Sequence, residues 1–164
     1  MASRVHSGQR QRETSPRKVK LTLESTTDST NQAAGSVVPL AKRLRYNDEQ
    51  CHDIELAVRE VVANAILHGN RSDRGKRVFL TASGGPAGLV IHVRDEGEGF
   101  EPSSVPDPRQ AEALMQESGR GMLLINACMD EVTWRPSPEG GMEVILKKNP
   151  AGGRATPGRN GKKA

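Results

Sequence analysis

Between residues 48 and 68, apolar side chains recur at Ile54, Val58, Val61, Val62, Ala65 and Ile66. Steps of three and four line one side of an α-helix. Asn47-Asp48 supplies its capping residues and Gly69-Asn70 its end. An earlier helix is predicted from the cap candidates Thr26 to Thr30 as far as about Arg45. Elsewhere the period is two: Lys18 to Leu23, Arg77 to Thr81 and Leu89 to Arg94 read as strands. In the last of these, Leu89, Ile91 and Val93 form an apolar face, and Val90, His92 and Arg94 a more polar one. That alternation fits a sheet covered on a single side. The loop Ser83 to Gly88 predicts an antiparallel hairpin. Glu101 to Ser118, with three prolines and a short helical stretch at Gln110–Glu117, reads as a lid. A helix over Met122–Met129 and a hairpin of Val132–Trp134 with Met142–Lys147 complete the chain. The mixture predicts an α/β (α+β) two-layer sandwich, with a mixed, mostly antiparallel sheet and helices on one face.

Composition narrows the folded region. The 164 residues fit one domain, yet only 34% are hydrophobic and 2% aromatic. The deficit sits at the ends, so residues 1–17 and 149–164 are expected to be disordered basic tails flanking a domain over 18–148. Residues 1–20 and 147–164 hold twelve of the 24 Lys and Arg but one of the 20 Asp and Glu. The stretch between them therefore carries twelve basic and nineteen acidic residues, a net of −7, although the whole chain is +4. No aromatic residues interleave with the basic tails, so no stacking platform for nucleic acid is expected. There is no apolar run of the ~18 residues a membrane span needs, and no apolar signal segment. Cys51 and Cys128 belong to no Cys-x-x-Cys or zinc-type spacing, which suits buried free thiols in a reducing cytoplasm.

Three segments carry candidate chemistry. Asp95-Glu96-Gly97-Glu98-Gly99-Phe100 follows a strand. A carboxylate at a strand exit can accept a hydrogen bond from an exocyclic amine such as that of adenine, and the glycines let backbone approach a ligand closely. Glu60 and Asn64 stand four apart on one helix face, away from the centre of the apolar stripe, with Ala57 and Ala63 expected to leave space beside them. Ser118-Gly119-Arg120-Gly121 opens a helix, where backbone N–H groups can receive phosphate oxygens. The Gly-x-x-x-x-Gly-Lys-[Ser/Thr] signature is absent, which excludes a P-loop ATPase. Glu96 and Glu98 are expected to face solvent.

In this order and spacing, Glu60–His68, Asp95–Gly99 and Ser118–Ile125 resemble the three boxes of the histidine-kinase-like ATPase superfamily. Gly99-Phe100-Glu101-Pro102, Val105-Pro106-Asp107-Pro108, the Ser-Gly-Arg-Gly turn and Met129-Asp130-Glu131-Val132 narrow the resemblance to bacterial anti-sigma-factor serine/threonine kinases, over roughly Lys18 to Lys148. The resemblance implies a Bergerat-type ATP-binding fold using ATP and Mg²⁺. It assigns Glu60 as general base and Asn64 as metal ligand and nucleotide contact. Asp95 becomes the adenine contact, with Gly97 and Gly99 shaping the pocket, and Gly119, Arg120 and Gly121 hold phosphates. These types suit the task, since γ-phosphoryl transfer needs oxygen ligands for Mg²⁺ and a carboxylate to orient or deprotonate the attacking hydroxyl. His68 is open between a place in the site and a packed or capping role. The implied partners are a sigma factor and a small antagonist protein phosphorylated on serine or threonine, with the kinase itself a cytoplasmic homodimer. A reading of a different class is a nucleotide-dependent partner-binding or ATP-sensing module without phosphotransfer, which would have no need of Glu60. The catalytic half of a two-component histidine kinase is disfavoured, because the short polar stretch before Lys18 holds no phosphoacceptor helix.

Overall fold

A computed structural model describes residues 17–99 and 117–152. Along the chain they form β1 (Lys18–Glu24), α1 (Asp28–Arg43), α2 (Asp48–Asn64), a π-helical turn (Ala65–Gly69), β2 (Arg77–Gly85), β3 (Gly88–Arg94), α3 (Glu117–Cys128), β4 (Glu131–Pro136) and β5 (Met142–Lys148). The strands make one sheet in the order β1-β2-β3-β5-β4. All four pairings are antiparallel, with Leu21 opposite Leu80, Ala82 opposite Ile91, and Val93 opposite Val144. The mostly antiparallel expectation thus becomes wholly antiparallel among the described strands, because β5 returns between β3 and β4 as a hairpin partner.

Period two decides which face is covered. Leu23, Val78, Leu80, Ala82, Leu89, Ile91, Val93, Val144 and Leu146 are buried in one cluster with apolar residues of all three helices. From α2 come Ile54, Val58, Val61, Val62, Ala65 and Ile66, the stripe read from the sequence; α1 adds Val37 and Leu40, and α3 adds Ile125. The other sheet face is polar. His92 lies 3.0 Å from Glu143, which also pairs with Arg135, and Arg94 stacks 4.3 Å over the ring of Phe79. Burial pushes the Glu143 carboxyl up, but hydrogen bonds and charge from His92 and Arg135 outweigh it and hold the group below the usual range.

Several boundaries differ from the sequence reading. Asn47 caps α2 as expected, accepting from the Gln50 N–H while the Gln50 side chain accepts from the Asn47 N–H. At α1, by contrast, Thr27 makes no side-chain cap, and the Ser29 hydroxyl donates back to Glu24 O at 2.7 Å. Ser83 and Gly84, expected in a loop, pair with Val90 and Leu89, leaving only Pro86-Ala87 as the turn. Two residues suffice to close an antiparallel hairpin, so the glycines complete the ladder. The helix expected from Met122 already runs from Glu117, so the Ser-Gly-Arg-Gly motif forms its first turn. The Gln110–Glu117 stretch and the lid before it fall outside the described residues, except for Glu117 and Ser118 in α3. No helix among the described residues is long and apolar enough to cross a membrane. Cys51 and Cys128 are free and buried, and burial raises both thiols, which disfavours the reactive thiolate.

Candidate functional site

The site begins on α2. Its apolar stripe fixes the helix against the sheet, which leaves Glu60 and Asn64, one turn apart, on a flank that is only half-buried. Both line a cavity of about 350 Å³. Ala63, Leu67 and His68 belong to the same wall, and Arg120, Gly121 and Leu124 of α3 form the opposite one. Ala63 makes room beside the pair, as expected; Ala57 does not, being fully buried in the core. The two helices meet where Gly121 faces the Glu60 carboxylate. A Cβ on residue 121 would fall on Glu60 Oε1, so the glycine leaves that carboxylate room to lie against α3. Neither Glu60 nor Asn64 is engaged by a side-chain hydrogen bond or ion pair among the described residues. Arg120 is exposed at the cavity wall, and Gly119 lies beside it in the first turn of α3.

The second half of the site lies past the π-helical turn. Here Asn70 N–H reaches back five residues to Ala65 O at 2.8 Å, and the chain turns at Arg71 and Ser72, both at positive φ. Gly69 thereby lies under the Asp95 carboxylate, leaving no space for a Cβ. Asp95 is only 5% exposed. Its Oδ1 accepts the N–H groups of Gly97 at 2.8 Å and Met142 at 3.2 Å, while its own N–H donates to Met142 O. Oδ2 has no donor among the described residues and faces Gly69. Burial pushes the Asp95 carboxyl above its ordinary value, against the opposing pull of those two N–H groups and of Arg94 and Lys76. Gly97 packs against Gly69 O, and Gly99, at φ +75, turns the chain beside Gly141. Glu96 and Glu98 are exposed, as expected.

Asn70, Gly69, Gly141 and Met142 were missed by sequence reasoning. Asn70, fully buried, donates to Ser25 Oγ at 2.9 Å and Arg77 O at 3.0 Å and accepts from the Glu96 N–H at 2.8 Å. One side chain thus ties the helix exit to the β1–α1 junction, to the start of β2 and to the strand exit bearing Asp95. The only signal in the sequence is an Asn next to a Gly at a helix end, and that pattern says nothing of distant partners.

The geometry suits a nucleotide. A buried carboxylate with one uncommitted oxygen can accept an exocyclic amine. The cavity wall opposite Asn64 offers Arg120 and a helix start to phosphate oxygens. Among the described residues no three His, Cys, Asp or Glu side chains converge as a protein-only metal cage. A carboxamide oxygen at Asn64 with a carboxylate one turn away fits Mg²⁺, a cation that keeps waters and takes most other ligands from phosphates.

A one-sided antiparallel sheet with such a site between two helices and a strand exit defines an ATP-binding domain of the histidine-kinase type. Residues 8–148 match the histidine kinase-like ATPase domain model, and the chain belongs to that family. Among curated relatives it is similar to the anti-sigma F factor of Clostridium perfringens (strain ATCC 13124), with 31% identity over 135 residues, 79% of this chain and 95% of that protein. The anti-sigma F factor of Clostridium acetobutylicum is 28% identical over 133 residues, 80% of this chain and 92% of the relative. That of Geobacillus thermodenitrificans is 27% identical over 139 residues, 82% and 94% of the two chains.

Proposed function

We propose that this protein is an ATP- and Mg²⁺-dependent serine/threonine protein kinase acting as an anti-sigma factor, which phosphorylates a small antagonist protein and sequesters a sigma factor. The relatives' names supply the sigma factor as partner. The observation that carries the kinase reading is the half-buried pair Glu60 and Asn64, one turn apart in the cavity that also holds Arg120. A module that only bound nucleotide would have no use for a carboxylate there.

In this reading Asp95 Oδ2 accepts the adenine amine, and the first turn of α3 with Arg120 receives β- and γ-phosphate oxygens. Asn64 would hold Mg²⁺, which when bound neutralises charge on the phosphates. Glu60 orients the acceptor hydroxyl and takes its proton as the hydroxyl oxygen bonds to the γ-phosphorus. The bond from that phosphorus to the β–γ bridging oxygen breaks, and ADP leaves. The protein works in the cytoplasm as a homodimer.

Glu60→Gln tests the reading. The substitution keeps shape and leaves Asn64 in place, so ATP–Mg²⁺ affinity should persist. Transfer of γ-label from ATP to antagonist proteins of the source organism should fall by about 10²–10⁴-fold, the usual worth of a general base. Undiminished transfer would falsify the base assignment. Tight ATP binding by the wild type with no transfer to any antagonist would replace the kinase with a partner-binding module.

A further inference from the structure

The hairpin turn between β4 and β5 lies against Asp95 and helps to decide where that carboxylate points. A Cβ on Gly141 would fall on Asp95 O, and Met142, the next residue, donates its N–H to Asp95 Oδ1 at 3.2 Å. The turn's own residues do little to hold this exacting arrangement. Gly140 and Gly141 both take positive φ, and two adjacent glycines leave a backbone many alternative paths. Ser137 N–H donates to Gly141 O at 2.9 Å and Gly140 N–H to Ser137 O at 3.0 Å, which closes the turn on itself without tying its tip to β3.

Arg94 makes that tie. It immediately precedes Asp95, and its side chain leaves on the polar face of the sheet. There the guanidinium stacks over the Phe79 ring, and Nη2 reaches the Glu139 carboxylate at the tip of the turn, 3.0 Å away. Glu143 stands opposite Arg94 in the ladder, but it is engaged by His92 and Arg135. The side chain of Arg94 is 17% exposed and that of Glu139 75%. The pair is therefore held from its partly desolvated, ring-stacked end, which gives the exposed carboxylate a fixed target.

We propose that Arg94 and Glu139 form a positioning clasp for the purine contact. By holding the β4–β5 turn to the end of β3, the pair keeps the Met142 N–H on Asp95 Oδ1 and so leaves Oδ2 aimed at the adenine amine. The inference rests on the nucleotide reading and deepens it by naming two residues outside the cavity that act through Asp95. Both are positioning residues, since neither lines the cavity that holds Glu60 and Asn64. Two consequences distinguish the clasp from ordinary surface charge. Its effect is confined to the purine end, because Asn64 and Arg120 stand on α2 and α3, away from this turn. It also belongs to the pair, so losing either partner removes what both provide.

The test uses the full chain with Arg94→Gln, Glu139→Gln and the double variant, and Glu139→Asp as the conservative control. Adenosine probes the purine end and Mg²⁺–tripolyphosphate the phosphate end, each by calorimetric titration. Glu139→Gln should weaken adenosine binding about two- to fivefold, the range for a partly exposed ion pair, and leave tripolyphosphate binding unchanged. The double variant should bind adenosine no more weakly than Arg94→Gln alone, and Glu139→Asp, which keeps the charge, should recover part of the loss. Raising the salt concentration should weaken adenosine binding by the wild type and not by Glu139→Gln. Unchanged adenosine affinity in Glu139→Gln would overturn the proposal and leave the nucleotide reading intact. So would additive losses in the double variant, or an equal loss of both ligands, which would mark a general loosening of the fold. A wild type that binds neither ligand would remove the nucleotide reading and the clasp with it.

Discussion

Replacing Asp95 with Asn is the sharpest probe of the proposed purine contact. Oδ1 of Asp95 accepts two backbone N–H groups, from Gly97 and Met142. An asparagine must present its carbonyl oxygen to those same donors, which leaves its NH₂ where Oδ2 stood. The adenine amine would then meet a donor in place of an acceptor. Loss of a hydrogen bond to a charged group costs about 1.5–3 kcal/mol. That corresponds to ATP binding weaker by roughly 10- to 150-fold, read by calorimetric titration. Stability should move the other way. Because burial raises the folded carboxyl above its unfolded value, the ionised side chain costs stability at neutral pH, fully above the folded pKa. That cost is relieved as pH falls toward the ordinary aspartate value of about 3.9. The variant should melt at or above the wild-type temperature at pH 7, and the difference should close in acid. Affinity within twofold of wild type would remove Asp95 from the nucleotide site. A variant that melts well below wild type would make the carboxylate a structural group.

Gly121→Ala should place a methyl group where the Glu60 carboxylate now lies and make that side chain swing aside. The melting temperature should change little, because a side-chain end can move, while γ-label transfer should fall more than ATP binding; a variant with wild-type transfer would show that the carboxylate's place against Gly121 is dispensable. Asn70→Ala removes three side-chain hydrogen bonds, one buried and two partly buried, so a loss of about 2–4 kcal/mol in denaturant unfolding is expected, with weaker ATP binding because the Asp95 turn loses its anchor. An unchanged unfolding midpoint would refute that anchoring role.

Periodicity made the architecture legible. The α2 stripe and the alternation in β3 are local patterns, and both describe the observed core faces residue by residue. The Glu60–Asn64 pairing was legible for the same reason, since i and i+4 on a helix is a local relation. Interactions across long sequence separation were not. The contact of Gly121 with Glu60 spans 61 positions, and that of Asn70 with Ser25 spans 45. No pattern in either segment announces its partner. The assignment of Ser83 and Gly84 to a loop failed because glycine signals both turns and close-packed strands, and the hydrogen-bonded ladder chose the strand. Ala57 was misplaced by a single helical step: it stands four residues before Val61 and shares that residue's buried face.

The π-helical turn also governs how freely this site can change. From Glu60 through Asn64 and His68 to Gly69 and Asn70, both ends of the site hang on one uninterrupted helical rod. Loops elsewhere tolerate insertions because their ends can adjust, but a rod translates and rotates everything beyond a change. Adding one residue to Ala65–Gly69, a turn already wound wide, would swing Asn70 by about 100° about the axis. The residue count of this short segment is therefore a gauge fixing Glu60 and Asn64 relative to Gly69 and the Asp95 carboxylate above it. Substitutions can retune either end separately, whereas a change of length would misalign both together.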